Sequence, residues 1–244
     1  SFACGAMIAL CLVLAAIAFR TPRKLVFLGF GTVLALAGLI AIQLVFPNGE
    51  FWAEMDTISE GNESGTGKQR WVLWGFAWEL FKSSPLLGVG PGNFGWNAAE
   101  YFISQGRTNL GSNFDDPAKL YMMALHNDFV QVLVEQGVIG LFGLLAMLVY
   151  FNKATRFLRR ESVRKAWQEQ MGGFIDSSSL ALGLEASMVG YLANAVFYNQ
   201  YYTDWLWTLV MFALVSASLA TRIMLDTSPH AFPYGQPMGG GSKR

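Results

Sequence analysis

Charge is scarce in this sequence. Of its 244 residues only 14% are Asp, Glu, Lys or Arg, while 53% are hydrophobic, and the formal net charge is zero. A chain balanced in this way has no bulk field to gather nucleic acid, so no nucleic-acid partner is expected. So much apolar residue with so little charge suits a polytopic membrane protein better than a soluble domain. Cysteine is nearly absent too: Cys4 and Cys11 stand seven apart in one apolar run, where buried packing thiols are expected. They form neither a disulfide framework nor a metal-ligand spacing. Histidine occurs twice, as His126 and as His230 in a Pro/Gly-rich tail. No DxD pair or His/Cys cluster marks a metal site, Asp115-Asp116 being adjacent and followed by Pro117. Neither a metal nor a cofactor is expected.

What the chain has is long apolar runs. Phe2–Phe19, Leu25–Phe46, Phe129–Phe151, Leu180–Tyr198 and Trp205–Leu225 each approach the length that crosses a hydrocarbon core of ~30 Å as a helix. The fourth is weakest, because Glu185 and Asn194 interrupt it. Ser1 falls inside the first run, where neither a mature soluble terminus nor a signal peptide would begin, so a fragment of a longer protein is expected. The expected fold is all-α. Two transmembrane helices occupy residues 1–46, a large external segment 47–128, three transmembrane helices with a basic loop 129–225, and a disordered tail 226–244.

Lys and Arg set the orientation. With the 20–24 turn, the 152–179 loop and the tail inside, the large loop keeps only five of the seventeen basic residues, Lys68, Arg70, Lys82, Arg107 and Lys119. The large loop is then periplasmic, and Tyr201, Tyr202, Trp205 and Trp207 sit at the outer interface as an aromatic belt.

Within the loop, Asn48–Gly67 is acidic and glycine-rich and reads as a solvated linker, its Asn62-Glu-Ser64 sequon being a motif that matches often by chance. Gln69–Ser84 reads as a helix whose Trp71, Trp74, Trp78 and Phe81 form one aromatic stripe, suited to lying along the membrane interface. Arg70 then stands at its start, near headgroup level. Leu86–Phe94 packs Gly88, Gly90 and Gly92 around Pro91, ahead of Asn93. Glycine amides can cradle an anion, yet no Gly-Lys-Ser/Thr follows, and a structural turn serves the glycines equally. Residues 95–125 mix aromatics with polar side chains and include Arg107; sugar contact and ordinary loop packing both fit.

At the end of the loop, His126-Asn127-Asp128 directly precedes an apolar stretch carrying Gln131 and Glu135. A histidine where a wet loop meets a hydrophobic helix titrates near neutral pH and can reach something embedded in lipid. An ordinary helix start capped by Asn127 or Asp128 is the alternative. Glu135 and Glu185 are membrane-embedded carboxylates by this topology, and such groups are functional candidates or interhelical anchors. Glu135 lies nine residues beyond His126, on the opposite side of an ideal helix, so Asn127 and Asp128 are the nearer candidates to orient the imidazole.

Three separated motifs carry a resemblance. They are Arg70 with Trp74 four residues on, then Ser84-Pro85-Leu-Leu-Gly88-Val-Gly90-Pro91-Gly92-Asn93-Phe94, then His126-Asn127-Asp128-Phe129-x5-Glu135-x-Gly137-Val-Ile-Gly140-Leu141. In this order around one external loop they resemble the carboxy-terminal domain of the O-antigen ligase and polymerase family, over roughly residues 25–225. The resemblance implies a metal-independent, multi-span inner-membrane glycosyltransferase of polysaccharide biosynthesis. It implies an undecaprenyl-pyrophosphate-linked glycan as donor and lipid A–core, a growing polysaccharide or protein as acceptor. By the same resemblance, His126 matches the family's general base and Arg70 the arginine that binds donor pyrophosphate. A further family arginine before the large loop has no match here, since only Arg20 and Arg23 precede the loop, on the expected cytoplasmic side.

The chemistry agrees with that assignment. Transfer from a glycosyl pyrophosphate needs the acceptor hydroxyl deprotonated, which a neutral histidine can do, and the leaving pyrophosphate stabilised, which a bidentate arginine can do. The alternative class is a membrane transporter of a small anion, because relatives with this domain include proposed bicarbonate transporters. Paired broken helices near the midplane would be expected of it.

Overall fold

Apolar runs without charge satisfy their peptide groups away from water by closing them within helices. A computed structural model describes residues 2–21, 24–49, 65–104, 121, 124–173, 175–199 and 201–227. Every regular element among them is a helix: α1 (Phe2–Arg20), α2 (Lys24–Val45), α3 (Gly65–Ser83), α4 (Phe94–Ser104), α5 (Asp128–Leu158), α6 (Glu161–Met171), α7 (Ser177–Ala195) and α8 (Asp204–Asp226). Among the described residues, α5 and α8 are the helices long and apolar enough to cross a membrane. Most of the expected linker, much of the 95–125 segment with Arg107, and the tail beyond residue 227 lie outside the described residues.

Helices α5, α7 and α8 pack into one core, in which Val132, Leu144, Leu184, Met188, Leu206 and Val210 are buried. α1 lies along α7, and α2 packs on α1. One charged cluster ties this layer together. Glu185 of α7 pairs with Arg20 at the end of α1 and with Arg159, 3.4 Å away just beyond α5. Glu185 therefore anchors three helices at the end opposite His126. Cys11, expected to be a buried packing thiol, is exposed on α1, because α1 is covered mainly on its α7 side.

Two segments read as loops contain helices. α4 occupies the start of 95–125 and buries Phe94, Ala98, Ala99 and Phe102 against α3. α6 occupies the basic 152–179 loop, with Val163, Ala166 and Trp167 turned onto the bundle. In α3 the buried face is Leu73, Phe76, Ala77 and Leu80, whereas Trp71 and Trp78 are exposed, so the aromatic stripe is split between two surroundings.

The least regular helix organises the rest. α5 has 31 residues but is broken at Gly137, whose φ of 67° and ψ of −166° are not helical. In an unbroken helix Val138 and Ile139 would donate to Val134 and Glu135. Here the segment after α3 enters the gap and takes both sides of it. Val138 N–H donates to Pro85 O at 2.9 Å and Ile139 N–H to Leu86 O at 3.3 Å. In return, Val89 N–H donates to Val134 O at 3.0 Å and Gly90 N–H to Glu135 O at 2.9 Å. Four helical peptide groups lose two mutual bonds and gain four bonds to the loop. Such close backbone approach requires glycine on both sides: a Cβ on Gly88 would overlap the Glu135 carbonyl, and one on Gly137 would overlap that of Leu86.

Candidate functional site

The site lies where α3, the start of α5 and the turn between α7 and α8 converge. Arg70 and Trp74 are one helical turn apart on α3 and share a face. Trp74 donates its indole N–H to Leu125 O at 3.0 Å, which brings this face of α3 against the residue before His126. His126 is half-buried and has a φ of 51°, the one positive value outside glycine among the described residues. Asn127 caps α5, its Oδ1 accepting from Val130 N–H at 3.0 Å.

Burial lowers the His126 pKa from its ordinary value, and the positive charge of Arg70 lowers it further. Both effects disfavour the imidazolium. His126 is therefore a neutral imidazole at neutral pH, beside a permanent cation. The Tyr198 ring stands edge-on to the imidazole, with centroids 6.4 Å apart.

Besides that cap, Asn127 and Asp128 bond toward α7 and the following turn. Asn127 donates from Nδ2 to Val196 O at 3.1 Å. Asp128 accepts from Tyr191 Oη at 2.7 Å and from Tyr201 N–H at 2.9 Å. Both residues thus fix the start of α5 onto its neighbours.

Glu135 is 0% exposed and serves the glycine loop. Its carboxylate accepts from Gly92 N–H at 2.9 Å and from Phe94 N–H at 3.1 Å, and also from Tyr202 Oη and Gln131 Nε2. The two amides are those at the start of α4, where a negative charge is stabilised by the helix dipole. Burial and the bond to Glu135 raise the Tyr202 pKa above that of an ordinary phenol, so the hydroxyl keeps its proton and donates. Asn93 donates from Nδ2 to Val89 O at 3.3 Å, which closes the loop on itself. The amides of Val89, Gly90 and Gly92 are donated to α5; Arg107 is not among the described residues. No three His, Cys, Asp or Glu side chains converge into a metal-binding group among the described residues.

Two contributors escape the sequence reading and a third is read in part. Trp74 is placed in the membrane stripe and in the first motif, and its indole bonds the chain beside His126. Tyr198 reads as the end of the fourth apolar run and Asn199 as a turn residue, and no spacing relates them to a histidine some seventy residues earlier.

One end of this helical bundle thus carries a half-buried histidine beside the helix face that bears an arginine. The sequence model of the family described as O-antigen ligase matches residues 1–145, and the chain belongs to that family. It is accordingly a membrane glycosyltransferase of the O-antigen ligase/polymerase type. The match contains all three motifs and ends inside α5, short of the 25–225 expected, so the turn carrying Tyr198 and Asn199 lies beyond it. No curated protein and no solved structure matches the chain.

Proposed function

We propose that the protein transfers a glycan from an undecaprenyl-pyrophosphate-linked donor to an acceptor hydroxyl on the periplasmic face of the bacterial inner membrane. His126 acts as general base and Arg70 binds the donor pyrophosphate. The acceptor oxygen forms a bond to the anomeric carbon as the bond from that carbon to pyrophosphate oxygen breaks. The hydroxyl proton passes to the His126 imidazole, which releases it to water. The charge that develops on the pyrophosphate falls to Arg70, a cation that stays charged and can bond two phosphate oxygens at once. No metal is required in this scheme, and in-line attack inverts the anomeric centre. Lipid A–core, a growing polysaccharide or a protein hydroxyl is the acceptor, and the five apolar helices α1, α2, α5, α7 and α8 span the membrane.

The observation that carries this reading is the Trp74–Leu125 bond, which brings the α3 face bearing Arg70 toward a half-buried His126 whose protonated form burial and the Arg70 charge both disfavour. A base must be unprotonated to act, and the residue that lowers its pKa is the one suited to hold the leaving group. The anion-transporter reading has no comparable support. Its expected pair of broken helices reduces, among the described residues, to α5, whose opened peptide groups are filled by residues 85–90.

The test uses the full-length chain in a host whose own enzyme is deleted, with His126→Ala and Arg70→Ala at matched membrane levels. Loss of surface glycan with accumulation of undecaprenyl-linked glycan is the expected result, and the acceptor left bare identifies the branch. Unchanged glycan from normally inserted variants would remove both assignments.

A further inference from the structure

We propose that Asn199, on the turn between α7 and α8, is a positioning residue for His126, holding the N–H of the residue after the histidine directly and that of the residue before it through Gln131. This rests on the reading of His126 as the general base. A non-glycine residue in the left-handed region is uncommon and persists where its surroundings over-determine it. Around His126 the determinants lie on the N–H groups of its two neighbours in the chain. Asn127 N–H donates to Asn199 Oδ1 at 3.1 Å. Leu125 N–H donates to Gln131 Oε1 at 3.4 Å, and Asn199 Nδ2 donates to that same oxygen at 2.8 Å. One carboxamide therefore grips the chain directly after His126 and, through Gln131, directly before it.

The direction of these bonds is fixed from the far end. Both oxygens of Glu135 accept backbone N–H groups, Gly92 on one and Phe94 on the other. A carboxylate so used accepts but does not donate, so Gln131 must turn its NH₂ toward Glu135 and its oxygen toward Leu125 and Asn199. Asn199 must then offer its NH₂ to Gln131 and its oxygen to Asn127. Reversing either amide would set donor against donor, so the chain from Glu135 to Asn127 has a single self-consistent arrangement. Asn199 also closes it onto the α7–α8 turn, where Val196 O accepts from Asn127 Nδ2.

A residue that merely packs the turn and one that places a base differ in their kinetics. In the full-length protein, Asn199→Leu keeps the volume and removes both bonds. The expected result is a fall in kcat of roughly ten- to a hundredfold with donor KM nearly unchanged. The acid limb of the kcat–pH profile should also rise toward the free-histidine value as the imidazole leaves its half-buried position. Asn199→Asp keeps an acceptor for Asn127 N–H and should recover part of kcat. Unchanged kcat, or a loss with the acid limb unmoved and Asp no better than Leu, would overturn the proposal. Should Asn199→Leu fail to accumulate in membranes, Asn199→Ser carries the same comparison. His126→Ala, assayed alongside, separates the two ideas. Full transfer without His126 defeats the base assignment itself, whereas an inactive His126→Ala beside an unaffected Asn199→Leu defeats only the role of Asn199.

Discussion

At the scale of single residues, the main question is why His126 is uncharged. Desolvation comes first and Arg70 second, and both act against the proton. With its folded pKa depressed, His126 is ready to accept a proton throughout the neutral range and is lost as a base only when pH falls through that lowered value. The acid limb of kcat should therefore lie below the ordinary histidine pKa of ~6.5. Arg70→Gln removes the second cause, so residual turnover should show its acid limb at higher pH than wild type, although transfer itself falls. A limb that moves downward would contradict the coupling. With His126 as the proposed base, His126→Ala should cost ~10²–10⁴-fold in kcat.

At the scale of elements, the break in α5 and the loop that fills it form one unit. Glu135 and Gly137 hold it from the helix side, Gly88 from the loop side. Glu135→Leu would leave the buried Phe94 amide without its acceptor, at about 1–3 kcal/mol, whereas the exposed Gly92 amide keeps Tyr202 Oη at 3.3 Å. Gly137→Ala adds a left-handed alanine, on the order of 1–3 kcal/mol, besides its overlap with Leu86. Both variants should lower the melting temperature of the detergent-purified protein and expose residues 85–94 to protease, while an exposed change such as Lys82→Ala should do neither.

How much of this was legible varies with the physics involved. The apolar runs were readable because burial in lipid requires length and little else, and α5 and α8 start within a residue of the expected spans. Helix α4 was missed because its buried face of Phe94, Ala98, Ala99 and Phe102 is short and set among polar residues. The break at Gly137 was invisible as a break, since one glycine in an apolar run looks like a helix residue until residues 85–90 approach it. His126 stood out by its place where a polar loop meets an apolar helix, and Arg70 by the family resemblance. Asn199 could not, because a carboxamide in a polar turn acquires its partners only when α7 and α8 bring the turn to the start of α5.

At the scale of the whole molecule, charge divides the two ends. Arg20, Arg159 and Glu185 meet at one end of the bundle, while His126 and Arg70 stand at the other, across the length of α5. If α5 crosses the membrane once, α3 and α6 face opposite compartments. In a background lacking Cys4 and Cys11, Glu79→Cys should react with an impermeant maleimide on intact spheroplasts. Glu169→Cys should react only after the membrane is opened. Labelling of both from one side would refute the proposed topology.

The insertion of residues 85–90 into α5 also governs what this stretch can become. External loops ordinarily tolerate added or missing residues, because little depends on their length. Here two carbonyls and two amides on the loop must each meet a counterpart on α5, and the spacing between Pro85 and Gly90 is set by the pitch of a helix. One inserted residue would put every later bond out of step, so this short stretch is as intolerant of a change in length as the strand of a sheet.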